Sequence, residues 1–192
     1  MKKEKNPLYH FLKPICVGLL HLLYHPKITG KENVPSDGAL IFAGNHKHAV
    51  DPIMVIASTK RVVHFMAKEF LFRGLHGWVF KKIGLIEIYK NRSNQLAVIE
   101  AEKMLKDGGT VGIFPEGTRN RTENLLLKFR HGTVAIAKNT NTMIVPFAIK
   151  GKYKLFRKGV SITFGKPIDA SNMEIEEAND YLKEQVRMLL EG

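Results

Sequence analysis

Apolar runs of strand length alternate with segments of helical periodicity from residue 39 to residue 165, and this alternation limits the folds open to the chain. "ALIFAGN" (39–45) reads as a buried strand, and "PIMVIAST" (52–59) as a helix opening on Pro52, whose fixed φ suits a first helical turn. A strand "RVVHFMA" (61–67), one helix "EFLFRGLHGWVFKKI" (69–83) and a short strand "GLIEIY" (84–89) are expected next. Stacking of Leu96, Ile99 and Lys103 predicts a helix from Asn94 that ends at a pair of glycines. "TVGIF" (110–114), "MIVPFAI" (143–149) and "VSITFG" (160–165) read as strands, and "GTVAIAKNT" (132–140) as a short helix. A last helix is expected behind a Ser171–Glu174 capping box, with Ile175, Ala178, Leu182, Val186 and Leu189 at helical spacing. The pattern predicts an α/β class: a single domain with a mixed, largely parallel sheet flanked by helices. At 192 residues the chain suits one such core, and no repeat or Pro/Gly/Ser-rich linker divides it.

The N-terminal stretch "MKKEKNPLYHFLKPICVGLLHLLYHP" stands outside the alternation. It has a charged end and an apolar middle but no small-residue cleavage site. The 13 residues between Lys13 and Lys27 fall short of the roughly 20 apolar residues a spanning helix needs. Leu8, Leu12, Ile15, Leu19, Leu22 and Leu23 line up along one side, which predicts an amphipathic helix lying on a membrane surface. A first helix packed into the core is the alternative. The chain then divides into an interfacial helix with its lead-in (1–30) and the domain that carries the chemistry (31–192).

Charge supports an anionic partner. Thirty basic against eighteen acidic residues give +12, and fifteen against seven, or +8, lie in residues 1–100. Nucleic acid, acidic headgroups or an acidic carrier protein would all answer such a surface. No helix-turn-helix or RNA-binding signature is present, so nucleic acid is not expected. The one cysteine, Cys16, excludes an internal disulfide and fits a reducing compartment; set among Ile15, Val17 and Leu19, it reads as packing.

In sheets of this class the loops leaving the strand ends carry the chemistry. Two are unusual here. "NHKHAVDP" (45–52) places His46 five residues before Asp51. On a regular helix that offset separates the side chains by about 140°, so they meet only if the segment turns. Asp51 then either holds one imidazole nitrogen of His46 and leaves the other free to take a proton, or serves as an ordinary helix N-cap. "FPEGTRNR" (114–121) supplies Gly117, which permits close approach to the backbone, and Arg119, a planar cation suited to phosphate. Glu116 is expected to orient Arg119 or accept a hydroxyl. A polar turn with a surface ion pair is the competing reading. No further ligands accompany His46 and His48, so no metal site is expected, and serine-hydrolase, Walker and dinucleotide motifs are absent.

An N-H-x-x-x-x-D block after one strand, with F-P-E-G-T-R about 65 residues later after another, resembles the glycerolipid acyltransferases. Within them the chain looks most like bacterial 1-acyl-sn-glycerol-3-phosphate acyltransferases. The likeness extends through "ITGKENVP", "FMAKEFLF", "GLIEIYK", "FRHGTVAIA" and "MIVPFAI". It departs at His48, where serine is frequent, and at Glu87 and Lys90, where phenylalanine and arginine are usual. The resemblance implies acyl transfer from an acyl-CoA or acyl-carrier-protein thioester to lysophosphatidic acid at a membrane surface, with no cofactor, and an enzyme peripheral to the cytoplasmic face of the cell membrane. It implies His46 as base and Asp51 as its partner, with Lys90, Glu116, Gly117, Thr118 and Arg119 around the acceptor's phosphate. Another lysophospholipid or polar acceptor is the alternative within this chemistry. A non-catalytic basic module binding membrane or nucleic acid is the alternative outside it.

Overall fold

The computed structural model describes residues 6–89 and 94–192. Seven strands form one sheet in the order β1-β7-β6-β2-β5-β3-β4. They are β1 (Lys27–Thr29), β2 (Leu40–Gly44), β3 (His64–Lys68), β4 (Ile86–Ile88), β5 (Thr110–Ile113), β6 (Met143–Gly151) and β7 (Val160–Phe164). Every neighbouring pair is parallel except the β6–β7 hairpin. The mixed α/β sheet is the one the alternation predicts, with β1 added at the edge. That three-residue strand is half polar, and nothing in its pattern marks it.

Strand periodicity sorts the core onto two faces. Leu40 and Phe42 of β2 join Met54, Val55, Phe65, Phe147 and Phe164 on one. Ile41 and Ala43 join Val111, Ile113, Val134, Leu182 and Val186 on the other. Both faces are covered, so the central strands read as unbroken apolar runs rather than alternating ones. The first face carries α1 (Pro7–Tyr24) and α2 (Asp51–Ser58); the second carries α4 (Gln95–Lys106), α5 (Gly132–Thr140) and α6 (Ile175–Glu191).

This arrangement creates the crevice. β2 and β5 lie side by side in parallel, with Ala43 opposite Ile113. The chain leaving β2 crosses through α2 to β3, beyond β5, whereas the chain leaving β5 returns through α5 to β6, on the far side of β2. Right-handed crossovers in opposite directions put their helices on opposite faces, so the two exit loops part at the strand ends. Those loops are 45–50 and 114–121.

Several local expectations are corrected. Residues 69–83 are not one helix: a 3-10 turn (Glu69–Phe72) precedes α3 (Gly74–Lys82), with Arg73 extended and Gly74 at φ 70°. β3 begins at His64, three residues later than expected. In α4 the buried residues are Ala97, Ala101 and Leu105, while Leu96 and Ile99 are exposed. The Ser171–Glu174 capping box does not form. α6 starts at Ile175 without a side-chain cap, and the Ser171 amide donates to Asp169 Oδ1 in a turn before it. The α6 face is otherwise as expected, with Ala178, Leu182 and Val186 buried and Leu190 completing it, but Ile175 is exposed.

α1 packs on the domain along one side and leaves apolar residues exposed along the other. Tyr9 and Leu20 are buried against the domain, and Lys13 Nζ donates to the carbonyls of Thr59 (2.7 Å) and Arg61 (2.8 Å). Burial pushes the Lys13 ammonium down to about 8. The opposite side leaves Phe11, Ile15, Leu19 and Leu22 exposed at i, i+4, i+8 and i+11, a continuous apolar stripe. Leu8, Leu12 and Leu23, assigned to the outer side from sequence, are half-buried. Among the described residues no helix is long and apolar enough to cross a membrane.

Candidate active site

The turn after β2 is built around Asp51, which is fully buried. Its Oδ2 accepts from His46 Nδ1 (2.9 Å) and from the backbone amides of Lys47 (2.7 Å) and His48 (2.7 Å). Its Oδ1 accepts from the Tyr153 hydroxyl (2.7 Å). The carboxylate therefore points back into the loop rather than forward as an N-cap for α2. The segment turns as the His46–Asp51 pairing requires, because the carboxylate itself gathers the amides that turn it. Four donors around one buried charge replace its lost hydration.

His46 is held on every side but one. Its ring stacks on Phe114 with centroids 4.0 Å apart, and Phe114 stacks in turn on Phe65. Its amide donates to Glu116 Oε1 (2.8 Å), and its carbonyl accepts from the Asn120 amide (2.6 Å). Nδ1 bound to a carboxylate fixes the tautomer with a proton on Nδ1 and a lone pair on Nε2. Nε2 has no partner among the described residues. The side chain keeps 17% of its exposure, enough for a substrate to reach that nitrogen.

Glu116 does not orient Arg119. It is 3% exposed, and its second oxygen accepts from the Leu127 amide (2.9 Å), so the carboxylate bridges the β2 loop to the segment before α5. Burial pushes its carboxyl above the usual carboxylate range, against the pull of the two amides and of His46 and Lys47 nearby. Gly117 has φ 66°, and the space over it is taken: a Cβ there would lie 2.7 Å from Arg130 Nε. Its amide closes the turn on the Phe114 carbonyl (2.9 Å). Thr118 and Arg119 are exposed, and the Arg119 guanidinium pairs with none of the described residues. Lys90 lies outside the described residues. An open groove of about 440 Å³ borders this loop, lined by Glu116, Leu127, Lys128, Phe129, Arg130 and His131. Among the described residues no three His, Cys, Asp or Glu side chains gather as a metal would require.

Four contributors were not legible as site residues. Tyr153 comes from the β6–β7 connection, 102 residues from its partner Asp51; burial and the adjacent carboxylate hold its hydroxyl far above the ordinary value, so it stays a donor. His48, exposed beside the loop, stacks on the Tyr153 ring at 4.6 Å. Asn45 pins the end of β2 to β6 through both its amide and its oxygen, donating to the Ile149 carbonyl (2.9 Å) and accepting from the Ile149 amide (2.7 Å). Arg130 sits over Gly117 from the "FRHG" segment, whose motif-like spelling was its one signal.

A model of the family described as Acyltransferase matches residues 25–150, about two thirds of the chain. The 1-acyl-sn-glycerol-3-phosphate acyltransferase of Bacillus subtilis is 32% identical over 169 residues, covering 84% of this chain and 82% of that protein. The protein of the same name from Borreliella burgdorferi is 33% identical over 141 residues, covering 72% of this chain and 56% of its own length. The match thus spans little more than half of that relative. Among solved structures, the 1-acyl-sn-glycerophosphate (LPA) acyltransferase PlsC from Thermotoga maritima shares the fold. Its TM-score is 0.75 at 23% identity, over 98% of this chain and 83% of that one.

Proposed function

The chain belongs to the acyltransferase family, and from that premise we propose that it acylates the free hydroxyl of 1-acyl-sn-glycerol-3-phosphate, giving phosphatidic acid. One observation carries the reading: a buried carboxylate 2.9 Å from His46 Nδ1, with no partner on Nε2 among the described residues. An acyl thioester is already activated, so no nucleophilic Ser or Cys is needed. The acceptor oxygen attacks the thioester carbonyl carbon while His46 Nε2 takes the hydroxyl proton. The tetrahedral adduct collapses with cleavage of the carbon–sulfur bond, and the imidazolium returns the proton to the departing thiolate. Asp51 stabilises that imidazolium between the two steps. No cofactor enters the sequence; the co-substrate is an acyl-CoA or acyl-carrier-protein thioester.

Arg119, with Thr118 beside it on the turn that Gly117 shapes, is the natural seat for the acceptor's phosphate, and Lys90 is assigned beside it on the resemblance alone. The exposed guanidinium of Arg119, paired with none of the described residues, supports this, since a cation not neutralised by a neighbouring carboxylate is available to a dianion. Glu116 acts through the backbone and holds the two loops together. The exposed stripe of α1 would rest on the lipid surface that supplies the acceptor, placing the enzyme peripherally on the cytoplasmic face of the membrane.

The test is direct. Purified protein is mixed with acyl thioesters and a panel of lysolipids while thiol release is followed. Lysophosphatidic acid should be acylated fastest, and His46→Ala should abolish the reaction. Preference for a lysolipid lacking a terminal phosphate would transfer the reading to a different acceptor, and absence of thiol release with any acceptor would overturn it.

A further inference from the structure

We propose that the β6–β7 turn, residues 152–158, is a second lipid-contacting element that docks on anionic bilayers together with α1. This rests on the membrane-surface reading given above and extends it to a part of the chain more than a hundred residues away. The turn shows Leu155 at 59% and Phe156 at 67% exposure, side by side at its tip. Phe156 also holds φ 57°, which a bulky side chain adopts at a cost. The other two described non-glycine residues with positive φ, His25 and Asn141, terminate helices; Phe156 terminates none. The strained backbone is held by a hydrogen bond from the Phe156 amide to the Leu23 carbonyl (2.6 Å) in the last turn of α1. Tyr24 and Tyr153 pack edge to face beside it, with centroids 5.2 Å apart.

Leu22, the last residue of the exposed α1 stripe, is next to the residue that makes this bond. The exposed apolar residues of the turn are thus tied to the end of the helix that carries the stripe. Charge says what covers it. From Lys150 to Lys158, five of nine residues are basic (Lys150, Lys152, Lys154, Arg157 and Lys158) and none is acidic. Lys150 and Lys158 meet His25 and Lys27 around an open groove of about 640 Å³ at the foot of the turn. Apolar side chains at a tip with cations behind them match the order of an acidic leaflet, acyl chains inside and phosphates outside. A partner protein of ordinary composition would not call for that layering.

The same turn carries Tyr153, whose hydroxyl donates to the catalytic Asp51. Lipid contact at Leu155 and Phe156 is thus two and three residues from a group that positions the dyad, which would place the crevice at the surface where the acceptor lies.

The experiment uses the full chain with vesicles of phosphatidylglycerol and phosphatidylcholine, and with phosphatidylcholine alone. Binding is read by co-sedimentation, and turnover is measured on a short-chain, monomeric lysophosphatidate. Leu155→Ser/Phe156→Ser should weaken binding to the anionic vesicles about tenfold, as expected for removing two inserted apolar groups. Its Tm and its turnover of monomeric acceptor should stay near wild type. Phe156→Gly, which relieves the positive φ while removing the ring, should weaken binding by a smaller factor with no loss of Tm. Unchanged binding in both variants overturns the proposal. So does a loss of monomer turnover equal to the loss of binding, which would make the turn structural. A wild-type dimer in solution that the double variant dissolves would assign the patch to a second copy of the chain and also overturns it. Phe11→Ser/Leu19→Ser on α1 tests the underlying membrane reading separately, so failure of the turn and failure of the helix are told apart.

Discussion

The two loops that meet at the crevice are built on opposite plans. In the β2 loop the groups that hold the proposed base are engaged: Asp51 takes four donors, and His46 is fixed through ring, amide and carbonyl. In the β5 loop the backbone is fixed through Glu116 and Gly117, yet the charged side chain at its tip, Arg119, pairs with none of the described residues. On the proposed reading, one loop is complete before substrate arrives and the other is completed by it. Proton transfer rewards a base whose orientation is already settled, whereas capture of an anion needs a cation not yet neutralised. The difference predicts that substitutions in the first loop lower kcat and those at the tip of the second raise KM.

The sharpest break is at His46. His46→Ala should lower kcat by about 10²–10⁴, the range for loss of a general base, with Tm near wild type because the ring is partly exposed. His48→Ser should keep most activity, since His48 stacks on Tyr153 without touching Asp51 through its side chain. Equal losses at the two histidines would erase the distinction between base and neighbour.

Next in size is Arg119. Arg119→Ala should reduce kcat/KM for lysophosphatidic acid by roughly 2–4 kcal/mol, by analogy with truncated charge pairs, mostly through KM. Slow thioester hydrolysis by water, which needs His46 alone, should persist. Lys90→Arg should be tolerated, as it restores the residue usual in the resembling enzymes. A neutral Arg119→Ala would mean the open loop holds no phosphate.

Glu116 joins the two plans, and its removal tests whether they depend on each other. Glu116→Ala leaves the amides of His46 and Leu127 unpaired, which should cost about 1–3 kcal/mol of stability, measured by denaturant titration. Burial holds the folded carboxyl above its unfolded value, so on raising the pH the unfolded chain releases that proton first. Stability contributed by Glu116 is therefore present below the ordinary carboxylate range and is lost as pH rises through the raised value. Glu116→Gln should flatten that dependence.

Glu116 also marks where sequence reading ended. The central strands were legible because both faces of the sheet are covered there, which writes them as apolar runs. His46 and Asp51 were legible because both partners lie in one short loop. The carboxylate of Glu116 goes to two backbone amides, one of them 70 residues away, and backbone partners leave no mark in side-chain spelling. In α4 the stacking of Leu96, Ile99 and Lys103 marked the helix but not its buried face, because the helix packs closely against its neighbours. Alanines 97 and 101 fit that gap, and Leu96 and Ile99 were displaced to the surface. The expected helix over 69–83 broke at Arg73, which is extended, and Gly74, which takes a φ of 70°. Gly77 lies where a Cβ would come within 2.0 Å of the Phe72 carbonyl oxygen, a contact only the bent chain makes.

The smallest expected effect is at Tyr153, the one donor to Asp51 that comes from outside the loop. Tyr153→Phe keeps the ring against Tyr24 and His48 and removes only the hydroxyl. Three donors remain on Oδ2, so the His46 geometry should survive and kcat should fall about three- to tenfold, the scale of one hydrogen bond of 0.5–1.5 kcal/mol. A merely structural tyrosine would lower Tm and leave the pH profile in place. A positioning one moves the profile, and the direction follows from charge. Losing the hydroxyl leaves more negative charge on the carboxylate, which then favours the protonated imidazole more strongly. The acidic limb of kcat/KM should shift to higher pH while KM for lysophosphatidic acid stays constant. A shift to lower pH, or a change in KM without one in kcat, would place Tyr153 with the open loop instead of the completed one.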